Sequence, residues 1–152
     1  MNDKLAAIVI TRHRAAAAIF SGTQLHYVEN RVLSSAPPKA ANTLLAFIGW
    51  LMEEFKMEAV VLQVGEVSPE THTGQMIDMV ESSLKERSIS LWRVRKTDLL
   101  DAYAHPRLAN QKQLRLVATS IWPHLIDTQA HPLELDAATL GLYMQTERLL
   151  HS

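Results

Sequence analysis

The sequence predicts a single α/β domain over residues 1–152. Its mixed five-stranded sheet would have three antiparallel strands, then two βα crossovers and C-terminal helices. Two observations favour this class: three short apolar segments separated by turn residues come first, and two later apolar runs each follow a segment of helical periodicity. A chain of 152 residues, 47% of them hydrophobic, is long enough to bury a sizeable core in one domain.

The first three strands are predicted to form an antiparallel meander joined by tight turns. Residues 5–11 make a short run rich in Ile and Val, which is typical of a buried strand. The charged stretch 12–14 interrupts this run, and residues 15–20 are apolar again before a Ser-Gly turn. Residues 23–33 alternate loosely between apolar and polar types, which indicates a third strand.

The middle of the chain predicts two βα units. Residues 39–56 place apolar side chains at helical spacing, and residues 57–64 form a continuous apolar run. Because this run does not alternate, it indicates a strand covered on both faces, as in a parallel sheet. The Ser-Pro-Glu segment 68–70 predicts the start of a helix that extends to about residue 87, with its proline at the first helical position. Residues 89–94 are the predicted fifth strand.

The last third of the chain is predicted to be helical. Helices are expected over residues 96–104, 110–122 and 135–150, and prolines follow the first two of them. Asp136 lies at the start of the last predicted helix, where an aspartate commonly acts as the N-cap.

Composition excludes several function classes. The absence of cysteine excludes disulfides, thiolate metal sites and thiol nucleophiles. The chain has 16 acidic residues against 15 Lys and Arg, so any binding of nucleic acid must depend on local charge. No apolar stretch approaches the length of a transmembrane helix and the N-terminus lacks a signal-peptide pattern, so we expect a cytoplasmic protein with no membrane partner.

The order of elements and one short motif resemble a known family. Three antiparallel strands followed by two βα crossovers are the order of the RNase H-like fold. Residues 135–142 (LDAATLGL) are similar to the Asp-Ala-Ala-Asp-like motif that opens the last helix of the RuvC-type Holliday-junction resolvases, and residues 111–122 resemble the helix before it. The chain therefore resembles an RNase H-like, RuvC-type resolvase, and this resemblance also implies a homodimer paired through helices.

The resemblance implies four catalytic carboxylates, most of which are missing here. In the family these acids hold two Mg²⁺ ions about 3.5–4 Å apart. The first acid belongs near Ile10 and Thr11, the second at Gln63, the third is matched by Asp136, and the fourth falls on Thr139. Since neutral amides and hydroxyls are poor substitutes for carboxylates around Mg²⁺, we expect an inactive relative with degenerate catalytic acids and no cofactor.

Two basic segments are candidates for binding nucleic acid. Arg12 and Arg14 could hold phosphate directly, although a charged turn in water is the favoured interpretation of this stretch. Arg93, Arg95 and Lys96 lie where the fifth strand ends, which is the side where open α/β sheets place their ligands. Residues 85–115 carry eight Lys and Arg against three acids, but a solvated basic face would have the same composition.

Three functions remain open at this point. The favoured one is a binding domain for nucleic acid or for a protein partner, without two-metal cleavage. The alternative is a divergent nuclease dependent on Mg²⁺ or Mn²⁺, with Asp136 as a metal ligand and Asp136 and Glu66 as the catalytic acids. Asp98 or Asp101 could complete that set. The third is a structural subunit with no role on nucleic acid, which the near-neutral net charge permits.

Overall fold

One mixed sheet organises the chain. The computed structural model describes residues 4–34, 36–57, 59–64, 71–103 and 111–151. The strands are β1 (Lys4–Ile10), β2 (Arg14–Ser21), β3 (Gln24–Val32), β4 (Ala59–Val64) and β5 (Ser90–Arg95). Their order in the sheet is β3-β2-β1-β4-β5, with antiparallel pairing from β3 to β1 and parallel pairing from β1 to β5. The predicted fold class and the predicted order of strands and helices along the chain are therefore confirmed.

Helices cover both faces of this sheet. They are α1 (Pro37–Phe55), α2 (His72–Glu86), α3 (Lys96–Tyr103), α4 (Gln111–Ile121), α5 (His124–Asp127) and α6 (Pro132–Leu150). The short helix α5 was not predicted. Within the described ranges, no helix combines the length and the apolar character that crossing a membrane requires.

The start of α6 differs from the prediction, whereas the start predicted for α2 falls outside the described residues. Helix α2 begins at His72, after the N-cap Thr71, whose side chain accepts a hydrogen bond from the Gly74 amide. The predicted start at residues 68–70 lies outside the described residues. Helix α6 begins at Pro132, three residues before the predicted start, because a proline can occupy the first turn of a helix, where the amide has no partner within the helix.

Alternate strand residues supply two separate hydrophobic clusters. On β1, Ile8 and Ile10 face α1 and α2, whereas Leu5, Ala7 and Val9 face α6. All of these side chains are buried. A sheet covered on both faces explains why its central strands are continuously apolar.

Close packing of α6 fixes its position over the sheet. A Cβ atom added at Gly141 would lie 2.2 Å from Cε2 of Phe20 on β2, so only glycine permits this approach. Phe20 pairs with Leu5 at the amino end of β1. Near the start of α6, Glu134 is hydrogen-bonded to Asn30 of β3, which lies toward the other end of the sheet. Helix α6 therefore starts near the carboxyl ends of β1, β4 and β5 and runs toward their amino ends. We refer to the side of the sheet that carries the carboxyl ends of β1, β4 and β5 as the carboxyl edge.

Candidate functional site

The acid that matches the resolvase motif is buried and ion-paired. Asp136 lies in the second turn of α6 and is 4% exposed. Arg115 of α4 donates from Nε to Oδ1 and from Nη2 to Oδ2, both at 3.0 Å. The hydrogen bond to Asp136 raises the pKa of Arg115, and partial burial opposes this shift. A cation from the same chain thus compensates the charge of this carboxylate.

The N-cap of α6 is His131, so the expectation that Asp136 caps this helix is wrong. His131 Nδ1 accepts a hydrogen bond from the Leu133 amide at 3.0 Å, and the His131 amide donates to Glu134 Oε1 at 2.9 Å. This reciprocal pair is a capping box. Asp136 lies five residues after this N-cap, inside the helix, and is therefore not its N-cap.

A polar network connects α6 to the start of β2. Glu134 Oε2 accepts a hydrogen bond from Asn30 Nδ2 at 3.0 Å, and Asn30 Oδ1 accepts one from Arg14 Nη1. Glu134 is buried, and Arg14 is partly exposed. Arg14 is therefore held in one orientation by its neighbours, unlike a charged residue in a solvated turn.

The other positions that the resemblance assigns to catalytic acids carry neutral groups. Ile10 is excluded because its side chain packs on the face opposite α6. Thr11 closes the β1–β2 turn, where its hydroxyl donates to the Arg14 carbonyl at 3.0 Å and accepts from the Arg14 amide at 3.2 Å. Thr139 donates its hydroxyl to the Leu135 carbonyl at 3.0 Å, within α6.

Gln63 occupies the position of the second acid, at the end of β4. Ala59 and Val61 of the same strand pack in the cluster beneath α6, so alternation places the Gln63 side chain on that face. Its Oε1 atom is buried and has no hydrogen-bond partner within the described part of the chain. An amide oxygen is nonetheless a weak ligand for Mg²⁺ compared with a carboxylate.

The donors among the described residues do not form a metal centre. Among the residues that the structure describes, no group of three or more histidine, aspartate or glutamate side chains is arranged to hold a metal ion. The matched carboxylate, Asp136, already binds a guanidinium. Glu66, the second predicted acid, lies outside the described residues.

Four of the five predicted basic residues lie at the carboxyl edge. Arg12 is exposed in the turn after β1, and Arg14 begins β2 beside it. Arg95 ends β5, and the exposed Lys96 begins α3. Arg95 is hydrogen-bonded to Asp98 through its amide at 3.1 Å. Since β4 separates β1 from β5 and adjacent strands lie about 4.8 Å apart, the ends of β1 and β5 are roughly 10 Å apart.

Arg93 is oriented differently from the other four. Leu91 packs in the cluster under α1 and α2, so alternation directs Arg93 to that face, where it is bonded to Glu81 of α2. Trp92 packs in the cluster under α6, and the guanidinium of Arg148 lies 5.1 Å from its ring centroid. Neither side chain joins the surface around Asp136.

Sequence reasoning missed three residues of this site: Arg115, Asn30 and Glu134. A partial signal for Arg115 was present, because a buried aspartate requires a counter-charge and the helix before α6 carries that arginine. Asn30 and Glu134 are separated by 104 residues in sequence, and no local pattern links them.

Solved structures place this architecture in a defined class, the RNase H-like α/β fold of Holliday-junction resolvases. Thermus thermophilus RuvC is similar with a TM-score of 0.74 and 16% identity over 96% of both chains. The yeast mitochondrial Holliday junction resolvase is similar with a TM-score of 0.69 and 9% identity, over 99% of this chain and 81% of its own. The Fowlpox virus resolvase is similar with a TM-score of 0.62 and 12% identity, over 96% of this chain and 99% of its own. The sequence itself matches no protein-family model and no curated protein. At sequence identities of 9% to 16%, the structural similarity shows that the fold is shared.

Proposed function

We propose that this chain binds branched DNA, such as a four-way junction, without two-metal cleavage. Two of the similar structures, Thermus thermophilus RuvC and the Fowlpox virus resolvase, were solved with Holliday junction DNA. The observation that carries the proposal is the bidentate pair between Arg115 and Asp136 at the position of the matched acid.

The ion pair disfavours divalent metal at Asp136 for an electrostatic reason. A metal ion entering there would have to displace the guanidinium or bind beside a fixed positive charge. Breaking such a pair also leaves a charge without its partner, which is costly where the carboxylate is buried. A carboxylate with a permanent cation of its own therefore suits a role without metal.

The carboxyl edge supplies the binding surface of this proposal. Arg12 and Arg14 lie at one end and Arg95 and Lys96 at the other, and arginine makes bidentate contacts with phosphate. Asn30 and Glu134 hold the Arg14 guanidinium in place, which reduces the conformational entropy lost on binding. Arg93 lies on the face covered by α1 and α2, so it would contact DNA only from that face.

The test is an equilibrium binding assay with labelled four-way junction, duplex and single-stranded DNA in EDTA at several salt concentrations. We expect tightest binding to the junction, with affinity that falls steeply as salt rises because phosphate contacts release counterions. The Arg14→Ala and Arg95→Ala variants should each bind several-fold more weakly. Lys85→Ala is the matched control, because Lys85 is an exposed cation at the end of α2, on the opposite side of the sheet.

Two other functions give different results in these assays. A divergent nuclease that uses Asp136 and Glu66 would cleave DNA in Mg²⁺ or Mn²⁺ and lose that activity in Asp136→Asn. A structural subunit would bind none of the three DNAs. The cytoplasmic location and the homodimer remain predictions, and sedimentation of the purified chain tests the second of these.

A further inference from the structure

Arg115 retains hydrogen-bonding capacity beyond its pair with Asp136. A guanidinium has five N–H donors, and the side-on edge formed by Nε and Nη2 is the one directed at Asp136. The end-on edge, formed by Nη1 and the second hydrogen of Nη2, is a second fork of the same geometry. Within the described part of the chain, the Arg115 side chain makes no other hydrogen bond, and it is 38% exposed.

We propose that Arg115 contacts a DNA phosphate through this second fork while Asp136 holds it in position. Asp136 and two oxygens of one phosphate would then bind two different edges of the planar Arg115 guanidinium. The arginine would thus bridge a carboxylate of the chain and a phosphate of the DNA, which is the arrangement that a metal ion provides in a two-metal nuclease. This inference rests on the proposed binding function and adds a contact that the basic residues of the carboxyl edge do not include.

The surroundings of Arg115 suit a phosphate. Lys112 lies three residues earlier on α4, so it shares the face of Arg115, and it is exposed. The Asp136 side chain is 5% exposed, whereas the Arg115 side chain is 38% exposed, so the arginine is held by a buried carboxylate and still reaches solvent. A guanidinium fixed on one edge loses less conformational entropy when a phosphate binds the other.

The test compares junction affinity in EDTA for the wild type, Arg115→Gln and the double variant Arg115→Gln/Asp136→Asn, with Lys85→Ala as the surface control. Concentrations are corrected for the folded fraction measured by circular dichroism. We expect both Arg115 variants to bind about tenfold more weakly than the wild type, since a charge-assisted contact is lost. The slope of log affinity against log salt should fall by about 0.9, the value for one phosphate contact.

The double variant separates the contact from a merely structural role. It removes both charges, so no buried charge loses the partner that this ion pair provides, and its fold should recover while its affinity stays low. Wild-type affinity in the double variant, or in Arg115→Gln, would overturn the Arg115 contact and leave junction binding standing. Failure of the wild type itself to bind the junction would instead overturn the proposed function, and the Arg115 contact with it.

Discussion

At the scale of single residues, the pair between Asp136 and Arg115 stabilises the fold because each charge compensates the other. Asp136 is almost fully buried, and an unpaired carboxylate there would lose its hydration without compensation. We predict that Arg115→Met lowers the free energy of unfolding by about 2 kcal/mol, since Arg115 is partly exposed and the cost falls below that of a fully buried pair.

The measurement is urea denaturation of Arg115→Met, of Asp136→Leu and of the double variant that combines them. Arg115→Met/Asp136→Leu should recover most of the stability, because an apolar pair leaves no buried charge. Equal, additive losses from Arg115→Met and Asp136→Leu would show that the two side chains are not coupled.

Tyr27 is a second residue whose environment alters its chemistry. Burial, followed by the 2.6 Å hydrogen bond to Glu29, raises the pKa of Tyr27 to about 12. Because the folded state keeps the proton longer than the unfolded state, this contribution to stability is present below about pH 10 and is lost as pH rises toward 12. Glu29→Gln should lower the pKa of Tyr27 in a spectroscopic titration of tyrosinate. Glu86→Gln, at an exposed position of α2, should leave it unchanged.

The candidate site was predictable from sequence only where a residue carries its own signal. Asp136 stands in a recognisable motif, and Arg14 stands in a conspicuous charged stretch. Their partners Arg115 and Asn30 were not predicted, because tertiary packing alone brings them to the site. The face of Arg93 follows from strand alternation, but only once the register of β5 is known.

At the scale of elements, the contact between α6 and β2 depends on a missing side chain. A Cβ atom at Gly141 would overlap the ring of Phe20, which is fully buried. We predict that Gly141→Ala lowers the free energy of unfolding by about 2 kcal/mol, because overpacking a rigid core forces the helix to shift.

Gly49→Ala on α1 is the matched control for this prediction. A Cβ atom there would lie 3.5 Å from Nη1 of Arg87, an ordinary contact, so alanine should stabilise the helix by about 0.5–1 kcal/mol. Thermal or urea unfolding of both variants gives the comparison. Similar stability of the two alanine variants would contradict the close packing of α6 on the sheet.

The strands and α1 were predicted well because each has a strong local pattern. Residues 59–62 are continuously apolar, as expected for a strand covered on both faces. The start of α6 was misplaced because histidine is not a usual N-cap, so residues 131–134 gave no standard capping signal. Helix α5 was missed because four residues are too few to show a helical period.

At the scale of the whole molecule, positive and negative charges nearly balance, but the positive charges are unevenly distributed. The net charge is −1, yet Arg12, Arg14, Arg95 and Lys96 all lie at the carboxyl edge of the sheet. This arrangement follows from topology, since the ends of parallel strands converge on one side. DNA binding by this chain should therefore depend on the position of each cation and not on overall charge.

The most direct test of the central claim measures the affinity of the wild-type chain for a labelled four-way junction in EDTA and again in Mg²⁺ and Mn²⁺, with the same samples examined for cleaved strands. We predict salt-sensitive binding of equal strength with and without metal, and intact DNA throughout. Cleavage that requires metal and disappears in Asp136→Asn would contradict the claim, because it would show that Asp136 acts as a metal ligand despite its pair with Arg115.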